Sequence, residues 1–275
     1  MYKLLVSDAD GSLLNSNSEI SDRTKEAVRE VISRGVIFTI ATGRMFSSIL
    51  PYALELKINA PVISYNGALI KDVYTKKVYY YNPIPSEDAV FAIKLLKENG
   101  YHVNLYIDDE LYVEEITDRV EWYISFNNNI KVNPVGDLVE FLLDTCSVTA
   151  KIYALNDLKD PISLNTKMYD EIAKKLTIST SGGGHLEINA KGVSKGNALK
   201  TLANMYNIKR EEVVAIGDNL NDLSMIEYAG LGVAMGNAPD IVKIKASFVT
   251  FSNDEDGVAH VIDKFFLNRK TVAVQ

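Results

Sequence analysis

Four short polar clusters stand out as able to do chemistry. Asp8 and Asp10 flank Ala9 at the end of an apolar run, Thr42 follows a second such run, Lys195 opens a helical stretch, and Asp218 to Asp222 read Asp-Asn-Leu-Asn-Asp after a third run. Carboxylates gathered at one point repel each other, by about 4 kcal/mol for a pair about 4 Å apart at an effective dielectric of about 20. A cation must sit among them. With three histidines and one cysteine in the chain a zinc site is disfavoured, whereas an all-oxygen donor set suits Mg²⁺, which takes carboxylates, waters and substrate phosphate. A hydroxyl such as Thr42, with the backbone N–H that follows, and a point charge such as Lys195 are what the non-bridging oxygens of a phosphoryl group require. A carboxylate beside Mg²⁺ can attack phosphorus, and a second one two residues on can protonate the leaving alcohol and then activate water.

The elements that must position these groups follow from the apolar pattern. Leu4-Leu5-Val6 reads as a buried strand of a parallel sheet. Ser21 is a suitable N-cap for a helix that buries Ala27, Val28, Val31 and Ile32 and stops at Gly35. An apolar run to Thr42-Gly43-Arg44, a helix through Leu56 and the strand of residues 61–67 continue the alternation, which implies a parallel sheet with right-handed crossovers. The C-terminal part resumes it, so the two ends read as halves of one doubly wound, Rossmann-like α/β domain, with ligands expected beyond the carboxyl ends of its strands. Between them, alternating strands mixed with helices predict an inserted α+β domain. The expected division is a core of 1–82 and 188–275 and an insert of 83–187.

Taken together, "DADGSLL", "TGR", Lys195 in "GVSKGNAL" and "GDNLND" resemble the four ordered motifs of the haloacid dehalogenase superfamily, in particular its Cof-type phosphatases with a large α+β (type C2B) cap between the second and third motifs. The resemblance implies Asp8 as nucleophile and Asp10 as general acid and base. It implies a Mg²⁺ site from Asp8, the backbone carbonyl of Asp10, and Asp218. It places phosphate on Ala9, Thr42, Gly43, Lys195 and Asn221, with Asp222 supporting the metal or Lys195. Ser12 stands where the family usually has Thr, which keeps the hydroxyl. Arg44 is open between touching substrate and pairing with a core carboxylate. Asp254 and Asp256 read as a solvated loop and helix entry. The Gly182-Gly183-Gly184 stretch before His185 reads as a turn or hinge, the sharper alternative being that His185 touches the leaving group. Most tyrosines, Tyr79 to Tyr81 and Tyr106 among them, read as half-buried sheet residues.

The expected activity is therefore Mg²⁺-dependent hydrolysis of a small phosphate ester, a sugar phosphate or similar, through an aspartyl-phosphate. A phosphomutase and a silent metabolite-binding protein are the alternatives kept. A receiver-type signalling module is disfavoured by the insert, and dehalogenase chemistry by the second aspartate. With a net charge of −7 and no Lys/Arg block, neither nucleic acid nor an anionic membrane is an expected partner. The single Cys146 excludes an internal disulfide and reads as a buried thiol. No apolar run approaches the roughly 20 residues that span a bilayer, and no signal-peptide pattern precedes the first strand, so a cytoplasmic home is expected. Oligomeric state is not legible.

Overall fold

The structure, a computed structural model, describes residues 1–125, 130–156, 163–181 and 184–269. In chain order its elements begin β1 (Leu4–Ser7), α1 (Asp22–Ser33), β2 (Ile37–Ile40), α2 (Phe46–Leu56), β3 (Val62–Ser64), β4 (Leu69–Lys71) and β5 (Val78–Tyr81). There follow α3 (Ser86–Glu98), β6 (His102–Ile107), β7 (Glu110–Val113), α4 (Asp118–Ser125), β8 (Val132–Pro134), α5 (Leu138–Thr145), β9 (Ile152–Leu155), α6 (Thr166–Lys175), β10 (Leu176–Ser181) and β11 (His185–Ala190). The chain closes with α7 (Lys195–Met205), β12 (Val213–Gly217), α8 (Leu223–Tyr228), β13 (Leu231–Ala234), α9 (Asp240–Lys245), β14 (Phe248–Val249) and α10 (Gly257–Phe265).

Two compact units result, one of Met1–Arg44, Ile49–Tyr79 and Ser194–Gln275, the other of Met45–Ser48 and Tyr80–Val193. The first is built on a parallel sheet ordered β14-β13-β12-β1-β2. Strand order reverses beside β1, the switch point at which doubly wound sheets bind ligands. Every residue of β1 and of β12 is buried, which is why both read as unbroken apolar runs rather than alternating ones. Ser21 caps α1 as expected, its hydroxyl accepting the Thr24 N–H, and Gly35 follows at φ 84°. Beyond β2 the sheet continues through a parallel bridge from Ala41 to Ile63, and β3 then folds into a small sheet with β4 and β5 that the sequence reading missed. Strands of three or four residues are too short to leave a clear period.

The second unit carries a six-stranded sheet, β10-β11-β9-β6-β7-β8, antiparallel except for the β7–β8 pair. The sequence pattern places the insert at 83–187. Because β11 runs to Ala190 in register with β10, this unit reaches Val193, and the Ser47 N–H, bonded to Asp109 at 3.1 Å, ties in residues 45–48. Three burial expectations are corrected here, the first at Tyr79 and Tyr81 of β5, which are exposed rather than half-buried. Cys146 is exposed, because it sits in the left-handed C-cap position of α5, past the last inward-facing turn. Tyr106 is fully buried rather than half-buried, its hydroxyl 2.5 Å from that of Tyr123 and its ring under the Lys151 ammonium at 5.0 Å. Lys151 in turn pairs with Glu187.

One polar contact in the first unit has a measurable consequence. The Thr250 hydroxyl donates to the Gly257 carbonyl (2.8 Å), so its oxygen must accept from Nδ1–H of His260 (2.9 Å). Phe251 stacks on this imidazole, with ring centroids 4.3 Å apart, and burial pushes its pKa down. A depressed folded-state pKa contributes stability that is present above the unfolded value, about 6.5, and is lost as pH falls below it. Compared with His260→Asn, whose amide can keep the bond to Thr250 without titrating, the wild-type melting temperature should drop progressively below about pH 6.5. A pH-independent gap between the two would refute this.

Candidate active site

The Asp clusters meet where β1 and β12 lie side by side. Ser7 pairs with Ile216, and the Asp8 N–H donates to the Ile216 carbonyl at 2.9 Å, so Asp8 and Asp218 emerge from neighbouring strand ends. Gly11, at φ 74°, completes the turn after β1. A Cβ there would lie 2.4 Å from Oδ2 of Asp218, so only glycine lets the two acidic loops approach this closely. The Ser12 hydroxyl then donates to Oδ1 of Asp218 at 2.8 Å.

Lys195, the first residue of α7 after the Ser194 cap, is 1% exposed. Its Nζ donates to Oδ1 of Asp8 (2.8 Å) and to Oδ1 of Asp222 (2.6 Å). Asp222 uses its other oxygen to accept the N–H groups of Asp218 and Asn219, both at 3.0 Å, which shapes the loop after β12. Asp8 is 5% exposed, and its Oδ2 has no hydrogen bond among the described residues.

One carboxylate oxygen from each of Asp8, Asp218 and Asp222 lies within 4.8 Å of the others. Three carboxylates facing one ammonium leave two uncompensated negative charges in a buried place. Burial pushes the Asp8 carboxyl well above the usual range, and Asp222 adds to this against the opposing pull of Lys195. Asp218 is pushed up to about 6, first by burial and then by Asp222. Burial works to lower Lys195, but Asp222 and Asp8 outweigh it and hold the ammonium above its ordinary value. This donor set, all oxygen and two charges short of neutral, fits a hard divalent cation.

Of the two alternatives read for Arg44, the pairing with a carboxylate is present, and the partner is Asp10. Nε meets Oδ2 of Asp10 at 2.8 Å and Nη2 meets Oδ1 at 2.5 Å, while the guanidinium lies 5.6 Å from the Tyr52 ring centroid. The Asp10 side chain is otherwise 55% exposed. Thr42 is buried beside this pair. Its Oγ1 accepts the Arg44 N–H, which leaves its own proton without an acceptor among the described residues. Gly43 lies between them in the chain. The Ala9 carbonyl takes the Leu14 N–H at 2.8 Å, and its own N–H has no acceptor among the described residues. Asn221 donates through Nδ2 to Oδ1 of Asn66 at 3.2 Å, and its own Oδ1 is buried without a partner among the described residues.

Three further sequence candidates are held by neighbours within their own units. Asp254 and Asp256 hold the segment leading into α1, by bonds to Ser16 and to Ser21 and Thr24 respectively. His185 belongs to the second unit and is 3% exposed. Its Nδ1 accepts the Asn156 N–H at 2.9 Å, and the rings of Trp122 and Tyr153 flank it, so a ligand would reach it only if these neighbours moved. Gly182 and Gly183 lie outside the described residues. Asn66 was overlooked, although Asn-Gly between an apolar strand and a second apolar run is a legible turn signal.

The family model of haloacid dehalogenase-like hydrolases matches residues 5–262. The chain belongs to that family. Among curated relatives of this hydrolase, the 5-amino-6-(5-phospho-D-ribitylamino)uracil phosphatase YcsE of Bacillus subtilis is 33% identical, with 96% of each chain covered. The pyridoxal phosphate phosphatase YbhA of Escherichia coli is 30% identical over 94% of this chain and 97% of the relative. A solved haloacid dehalogenase-like hydrolase from Bacteroides thetaiotaomicron superposes with a TM-score of 0.85 at 34% identity, covering 97% of this hydrolase and all of that chain. No helix among the described residues is long and apolar enough to cross a membrane.

Proposed function

We propose that this hydrolase is a Mg²⁺-dependent phosphatase that cleaves a small phosphorylated metabolite, a sugar phosphate or similar, through an aspartyl-phosphate on Asp8. The observation that carries the reading is the buried Lys195 shared by Asp8 and Asp222 beside Asp218, a carboxylate cluster short of two positive charges. The relatives add that phosphatases of similar sequence act on a ribityl phosphate and on pyridoxal phosphate.

In this reading Asp8, Asp218 and the Asp10 carbonyl hold the cation, which supplies charge to offset the approaching phosphate. The ammonium of Lys195 fixes Oδ1 of Asp8, leaving Oδ2 to attack phosphorus as the bond to the leaving oxygen breaks. Thr42 and the N–H groups of Ala9 and Gly43 take non-bridging oxygens, together with Asn221. The departing alkoxide takes a proton from Asp10, which must exchange one of its two bonds to Arg44 to give it. The same carboxylate then accepts a proton from the water that attacks phosphorus and releases Asp8.

A phosphate-release screen over sugar phosphates, nucleotides and pyridoxal and flavin phosphates tests the proposal. Release should require Mg²⁺, stop with EDTA and return when Mg²⁺ is restored. Turnover indifferent to metal would sink it, and isomerised hexose phosphate without free phosphate would establish the mutase instead. Mg²⁺ should also raise the melting temperature. In metal-free protein the raised pKa of Asp218 gives stability that is present below the unfolded value and lost as pH rises through about 6. The gain from Mg²⁺ should therefore be larger at about pH 7 than at about pH 5.

A further inference from the structure

Residues Tyr65, Asn66 and Gly67, between β3 and β4, all have positive φ, at 52°, 59° and 105°. Three in a row is costly for a chain of L-residues, and tyrosine is an unusual choice for the first. Such strain persists only where its surroundings over-determine it. Here they do. The Tyr65 N–H donates to the Arg44 carbonyl (3.0 Å) and the Asn66 N–H to the Thr42 carbonyl (2.9 Å), so the turn grips the loop after β2 at both ends. A Cβ on Gly67 would lie 2.4 Å from the carbonyl oxygen of Ser194, so the turn is pressed against the start of α7, one residue from Lys195. The Asn66 side chain, 5% exposed, accepts from Nδ2 of Asn221 in the loop after β12. One strained turn thus touches the loops that carry Thr42, Lys195 and Asn221.

We infer that Asn66 is a positioning residue of the phosphate site: it fixes the Asn221 carboxamide, whose second N–H on Nδ2 is left for a phosphoryl oxygen, while its backbone holds the Thr42 loop. The choice of phosphoryl oxygen as the target rests on the phosphatase reading; the hydrogen-bond geometry does not. Asparagine suits both tasks, since it tolerates the left-handed region and carries an acceptor. A carboxamide with nothing to orient it would have to give up rotational freedom each time it bound an anion.

Asn66→Gly separates the backbone from the side chain, because glycine takes φ 59° without strain but has no acceptor for Asn221. With Mg²⁺ present, the KM for the best ester and the Kd for inorganic phosphate should both rise about tenfold, as for one lost hydrogen bond to a charged group, with kcat changed less. Asn221→Ala should show the same rise, and the double variant no further one, because the two side chains act as a unit. Asn66→Ala, which keeps neither the acceptor nor an easy left-handed backbone, should lose thermal stability as well. The inference is overturned if Asn66→Gly keeps wild-type KM and phosphate affinity, or if the effects of Asn66→Gly and Asn221→Ala multiply in the double variant. A wild-type protein that binds inorganic phosphate but hydrolyses no ester would remove the phosphatase reading alone, and the phosphate affinities would still decide the role of Asn66.

Discussion

Asp8→Asn is expected to lower kcat by at least about a thousandfold while leaving the protein folded and able to bind its ester. The carboxamide keeps the shape of the carboxylate and can still accept from Lys195, but it cannot attack phosphorus. The same substitution should raise the melting temperature of the metal-free protein. Wild-type Asp8 is buried among like charges, its folded-state pKa lies above the unfolded value, and its contribution to stability is lost as pH rises. The stabilising effect of Asp8→Asn should therefore be small near about pH 4 and larger near about pH 8. Stability gained alongside activity lost is the signature of a functional charge held against its preference. Near-normal turnover would rule out covalent catalysis at this residue.

Lys195→Met should be the opposite kind of variant, inactive and strongly destabilised. Nζ is the cation that faces both Asp8 and Asp222 in a buried place, and removing one member of a buried ionic cluster while leaving the others costs about 3–5 kcal/mol. Without Lys195 the carboxylates must either carry unpaired charge or protonate. The destabilisation should accordingly shrink as pH falls and the acids take up protons, and Mg²⁺ should recover part of it at neutral pH. Denaturant melts across pH, with and without Mg²⁺, measure both effects. A loss below about 1 kcal/mol at neutral pH would mean that the ammonium contributes little to holding the cluster.

The sequence makes the doubly wound core legible because its information is local. Leu4 to Val6 and Val213 to Ile216 are apolar throughout because the strands are buried on both faces, and the polar residues that end them mark the strand ends where ligands bind. Asp8, Thr42, Lys195 and Asp218 could be picked out by type and position, and the structure brings Asp8, Lys195 and Asp218 together with Asp222. What was hidden depends on partners far along the chain. Whether Arg44 reaches Asp10, whether Asn66 meets Asn221 and whether Tyr106 lies under Lys151 are questions of tertiary neighbourhood that no local period encodes. Cys146 misled because thiols are usually buried, and the left-handed cap of a short helix overrode that preference.

Strand β1 has one neighbour, β2, that is close in sequence and another, β12, that lies far along the chain. Its bond partners are correspondingly distant: Lys195 is 187 residues from Asp8, and Asp218 is 206 from Ser12. During synthesis Asp8 leaves the ribosome long before Lys195 and Asp218. Closing so long a loop adds little to the equilibrium cost, because loop entropy grows only logarithmically, but non-local pairing of this kind slows folding. The nascent chain therefore carries Asp8 as an ordinary aspartate, and the buried cluster that raises its pKa comes into being only after Asp222 has been made.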